Sequence, residues 1–89
     1  MLLHIGGDTS IALKNVVAVL NMENVSRDTE DLINSIRNKS GIIEVGPAPH
    51  KSCVVTSENG RVSLYMSGIS ATTLSARAEL GSFKEQLKG

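Results

Sequence analysis

The sequence predicts an α+β domain, a small and mostly antiparallel sheet of about five strands with one covering helix and a C-terminal helix. Three observations carry this. Short apolar and β-branched runs are separated by turn residues, a single segment from Ser26 to Lys39 carries helix caps and helical periodicity, and Asn59-Gly60 marks a tight hairpin.

Taken in order, Met1 to Ile5 reads as a short strand, and Gly6-Gly7-Asp8-Thr9 as a turn in which glycine enters positive φ without steric cost. Ile11 to Leu20 reads as a second strand. Its run Val16-Val17-Ala18-Val19-Leu20 is continuous and not alternating, which predicts burial on both faces, by helices or by a neighbouring subunit. Ser26 to Lys39 reads as a helix. Ser26 caps it, Asp28, Glu30 and Asp31 sit near its positive end, and Arg37 and Lys39 sit near its negative end. Leu32, Ile33 and Ile36 supply the apolar stripe and Gly41 the stop.

Ile42 to Val45 gives a third strand. Gly46-Pro47-Ala48-Pro49 must be a loop, since proline removes ladder donors. Ser52 to Thr56 and Arg61 to Met66 form strands around Asn59-Gly60, the most secure local feature. Ser70 caps a final helix with Leu74 and Ala78 one turn apart, and Gly81 interrupts it. Residues 1–80 are thus expected to form a single domain and residues 81–89 a C-terminal tail.

At 89 residues there is room for one modest core. A chain this short buries only about 60 to 65% of its unfolded surface, so burial between copies of itself is an effective route to stability. Nine Lys and Arg balance nine Asp and Glu. A free-standing nucleic-acid-binding domain usually carries a clear basic excess, so any DNA contact depends on where the cations sit and how many copies share the work. Cys53 is the only cysteine, which excludes an intrachain disulfide framework and fits a cytoplasmic protein. The start Met1-Leu2-Leu3-His4 lacks the pattern of a leader, and no apolar run suggests a membrane span or membrane partner.

The chain offers few groups for chemistry. Cys53 lies in a predicted strand, where a small buried thiol is the common situation. His4, Asp8 and His50 match no recurring metal-ligand spacing, so no metal is expected, and no cofactor. The Gly6-Gly7 turn leads into a strand, whereas a dinucleotide fingerprint needs a helix there. Asp28, Glu30 and Asp31 fit a solvated helix start better than an acid–base pair. No catalytic residue is therefore expected. For nucleic acid the useful groups are Lys14, Asn15, Arg37, Lys39, His50 and Lys51, with Arg61 as a further cation. Tyr65 and Phe83 are too few for a base-stacking platform.

Leu3-His4-Ile5-Gly6-Gly7-Asp8, Lys14-Asn15-Val16-Val17-Ala18-Val19-Leu20 and His50-Lys51-Ser52-Cys53-Val54-Val55-Thr56 together resemble the extracellular matrix regulatory protein family, RemA and its paralogue RemB. The likeness runs from Leu3 to about Ala78, and the N-terminal pattern is closer to RemB. The resemblance implies a cytoplasmic, non-enzymatic bacterial regulator of biofilm matrix genes. Its better-known branch forms homo-oligomeric rings and binds double-stranded DNA around them with basic residues. By position, Arg37, Lys39 and Lys51 match basic sites of that branch. This chain departs from it at Ala48 and Pro49, which stand where a pair of arginines is expected, at Asn15, which replaces an arginine, and at Glu30 and Asp31, which replace basic residues. A reading in which the chain partners a paralogous regulator as a protein-interaction module, without touching DNA, therefore stands beside the DNA-binding one.

Overall fold

The computed structural model describes residues 1–37 and 41–88, with side chains in 1–37 and 41–80. Among the described residues the fold is α+β, with six strands and two helices. The order is β1 (Leu2–Gly6), β2 (Thr9–Ala12), a 3-10 turn (Leu13–Asn15), β3 (Val16–Asn21), α1 (Arg27–Arg37), β4 (Gly41–Val45), β5 (Ser52–Glu58), β6 (Arg61–Ser67) and α2 (Ala71–Lys88).

The strands do not form the single five-stranded sheet expected. β1 and β2 make a separate antiparallel hairpin, and the others make a four-stranded sheet in the order β3-β5-β6-β4. The reason lies at Lys14-Asn15. There the segment expected as one strand from Ile11 to Leu20 breaks into the 3-10 turn, whose first residue, Leu13, donates its backbone N–H to the Met1 carbonyl at 2.9 Å. A polar pair containing Asn is a poor strand interior, and the chain uses it to change sheets. Every pairing is antiparallel except β4 with β6. β3 and β4 consequently run the same way, and α1 is the crossover between the two edges of the sheet.

Local signals account for the ends of these elements. Ser26 Oγ accepts from Thr29 N–H at 3.2 Å, and Ser70 Oγ accepts from Thr73 N–H at 3.2 Å, so each helix starts behind its serine cap. Asn59 and Gly60 both take positive φ, 51° and 79°, and Glu58 pairs with Arg61 across a two-residue loop, the geometry of a type I′ turn. Gly41 opens β4, and the expected end of the helix, residues 38–40, lies outside the described residues.

The sheet is covered on both sides. Alternation along β5 directs Val54 to one face, where it joins Leu3, Ile5, Ile11, Val45 and Leu74 from the β1–β2 hairpin, β4 and α2. Cys53 and Val55 point to the other face and pack with Leu64, Met66 and Ile33 of α1. The two-sided strand is therefore β5, buried from Ser52 to Thr56. β3 lies at the edge and its residues are only half-buried. Val17, at the bulge between Val16 and Ala18, is 66% exposed. Leu32 is also largely exposed, because a step of about 100° per helical residue turns it away from the stripe that Ile33 and Ile36 present.

Two buried serines tie the sheet to what covers it, Ser67 to the hairpin and Ser52 to the segment that leads into α2. Ser67, at the end of β6, donates from Oγ to the Ile5 carbonyl at 2.5 Å and accepts from the Ile69 N–H at 3.0 Å. Its register partner Ser52 donates to the Ile69 carbonyl at 2.7 Å. Gly6 sits against this joint with φ 131°, and a Cβ there would lie 3.2 Å from Val45 Cγ1.

Candidate nucleic-acid interface

The folded chain distributes the candidate cations over three places. Lys14 is exposed and Asn15 half-buried on the 3-10 turn that precedes β3. Because Val16 pairs with Thr56, this turn lies at the end of the sheet where the β5–β6 hairpin closes, the end that also carries Arg61. Only the strand register places Arg61 at the same end of the sheet as that turn. The sequence signal for this was the Asn59-Gly60 hairpin, which fixes where β6 begins.

His50 and Lys51 lie at the opposite end. Lys51 donates its backbone N–H to the Ser67 carbonyl at 2.8 Å and accepts from the Met22 N–H at 2.9 Å, so its main chain is held on both sides while its side chain is exposed. His50 Nε2 is 3.1 Å from the Gly46 carbonyl, which closes the Gly46–Pro49 loop. Ala48 and Pro49 are exposed on that loop. The strand rise of about 3.3 Å per residue separates the Lys51 end from the Lys14 end by roughly 20 Å. One subunit does not bring these two lysines into a single patch.

Arg37 is the last residue of α1 and lies on the helix-covered side, where it lines a shallow cleft of about 310 Å³ with Met22, Glu30, Ile33 and Asn34. Lys39 lies outside the described residues. Among the described residues Lys14, Arg37, Lys51 and Arg61 are in no ion pair, and all four are exposed. Arg77 is a cation that sequence reasoning did not single out. Its Nη1 donates to the His4 carbonyl at 3.2 Å, which ties α2 to β1.

The groups weighed for other chemistry are accounted for locally. Cys53 is fully buried, and desolvation pushes its thiol from 9.0 up to about 11, the reverse of what a nucleophile needs. His4 Nε2 is 2.8 Å from the Gly7 carbonyl within the hairpin turn. Among the described residues no three His, Cys, Asp or Glu side chains gather as a metal site, and no helix is long and apolar enough to cross a membrane.

No curated protein matches this chain in sequence. A family model described as RemA-like, "Extracellular matrix regulatory protein A-like", matches residues 2–78, from the first strand into the second turn of α2. That family is a regulatory one and not an enzyme family. With the match spanning both sheets, α1 and the docking end of α2, the chain belongs to the RemA-like family of extracellular matrix regulatory proteins.

Proposed function

We propose that this chain is a non-enzymatic, RemB-like regulator of matrix gene expression that assembles with copies of itself and holds double-stranded DNA on the rims of the assembly. The observation that carries the reading is the β3 edge. Among the described residues no strand pairs with its outer side, Val17 on it is 66% exposed, and it is flanked at its two ends by Lys14 and Lys51. An open apolar edge strand is a liability that a neighbouring subunit removes. Repetition around a closed ring then converts isolated lysines into two circles of positive charge, one at each rim. A duplex lying on one rim meets either Lys14, Asn15 and Arg61 or His50 and Lys51, with Arg37 on the outer, helix-covered side.

Weak contacts from a neutral subunit become useful through their number. Each phosphate neutralised contributes about −0.9 to the slope of log affinity against log salt. Sedimentation velocity of the full chain with and without duplex DNA tests both parts of the reading. The expected result is a discrete multimer that Val17→Asp dissociates, and a duplex complex at low salt that one of Lys14→Glu and Lys51→Glu, the one on the occupied rim, abolishes. A strict monomer at high concentration refutes the assembly, and no complex at low salt refutes the DNA contact.

A second reading, in which the ring surface partners a paralogous regulator without DNA, is favoured by the exposed Ala48 and Pro49 at the Lys51 rim and by Glu30 on α1, positions where the DNA-binding branch carries cations. Under it, both charge reversals leave regulatory activity intact.

A further inference from the structure

One part of the sheet face shared with the β1–β2 hairpin differs from the rest. Alternation puts Thr56 and Glu58 of β5, and Arg61, Ser63 and Tyr65 of β6, on the same face as Val54. Around Val54 that face is apolar and roofed by the hairpin and α2. Toward the β5–β6 turn the residues become polar and, with Asn59, line an open cleft of about 320 Å³. A sheet face that awaits a protein layer reads apolar, as Val16, Val19 and Val54 do. This one presents hydroxyls and planar polar groups.

We propose that this cleft binds a small neutral saccharide. Tyr65 is half-buried and packed against the core cluster, so its ring is held in place as one wall. Glu58 and Arg61 are direct register partners, yet among the described residues they form no ion pair, so carboxylate and guanidinium are both free to bond outward. A sugar hydroxyl donates and accepts at once. It satisfies the acceptor Glu58 and the donor Arg61 together, while the Asn59 amide and the Ser63 hydroxyl take further hydroxyls. The C–H face of the ring covers the tyrosine. A phosphate is disfavoured by the Glu58 carboxylate. A zwitterionic amino acid finds no apolar recess for its side chain. The volume falls at the lower end of ligand sites, about 300–1,000 Å³. This inference shares Arg61 with one rim of the DNA reading, and Glu58→Gln, which removes no cation, separates the two.

The chain contains one tyrosine and no tryptophan, so intrinsic tyrosine emission reports on this cleft alone. The full-length protein is titrated with cellotriose and with maltotriose, and in parallel with glycine and inorganic phosphate. The expected result is a saturable change with at least one trisaccharide at a Kd of about 1 mM. Arg61→Ala and Glu58→Gln, both at exposed positions and checked for folding by circular dichroism, each weaken it about fivefold or more. Glu44→Gln, at an exposed position of β4 outside the cleft, leaves it unchanged. No saturable change with either sugar up to about 50 mM, a response that survives Arg61→Ala, or a larger response to glycine or phosphate overturns the proposal.

Discussion

Replacing Ser67 by alanine removes one oxygen from the joint between the two layers. Ser67 is fully buried, and its Oγ serves two backbone groups at once, the Ile5 carbonyl at 2.5 Å and the Ile69 N–H at 3.0 Å. Each buried polar group left without a partner costs about 1–3 kcal/mol. Allowing for partial relaxation, Ser67→Ala should destabilise the fold by roughly 2–4 kcal/mol. For a domain of this size about 4–8 °C of Tm is lost per kcal/mol, so the midpoint should fall by roughly 10–25 °C. Urea unfolding followed by far-ultraviolet circular dichroism at one fixed protein concentration measures the change, with an m value that stays constant. Ser57→Ala is the matched control, since Ser57 is half-buried and makes no side-chain bond to a described residue. Hydrogen exchange should locate the loss in β1 and at the start of α2. A destabilisation below about 0.5 kcal/mol would refute the view that this hydroxyl joins the layers.

Two further substitutions probe the core from other directions. Burial holds the Cys53 thiol near 11, above its ordinary 9.0, so the folded state keeps a proton that the unfolded state loses first. Stability is therefore constant below about pH 9 and falls as pH rises toward 11, by up to about 2–3 kcal/mol. The difference in urea midpoint between wild type and Cys53→Ala at pH 8 and pH 10.5 isolates this contribution, and a difference independent of pH contradicts it. Gly6→Ala forces a side chain onto φ 131° with its Cβ 3.2 Å from Val45 Cγ1. It should cost roughly 1–3 kcal/mol in a thermal melt, whereas Gly7→Ala, whose Cβ would meet nothing within 4 Å, keeps only the backbone cost. Equal losses for the two would remove the argument from close packing.

Where local chemistry decides, the sequence was legible. Ser26 and Ser70 cap the helices they were expected to cap, Asn59-Gly60 makes its two-residue turn, and Cys53 is a buried core thiol. In each case the partners lie within a few residues or the residue type alone is decisive. The same sequence hid the break at Lys14-Asn15. A run of β-branched residues looks alike on either side of a polar pair, and the break shows only once Leu13 is paired with Met1, twelve positions away in the chain.

By itself, then, the sequence determined the α+β class, the caps, the hairpin and, through its resemblance, the family. The tertiary structure alone decided that β5 takes the centre and β3 the edge, that the hairpin forms its own layer, and that Lys14 and Lys51 stand at opposite ends of one sheet. It alone placed Ser67 beneath the Ile5 carbonyl of β1. The physical reason is range. Capping and turn preferences act over one to four residues, whereas strand order and register are settled by contacts between segments that only the folded chain makes neighbours.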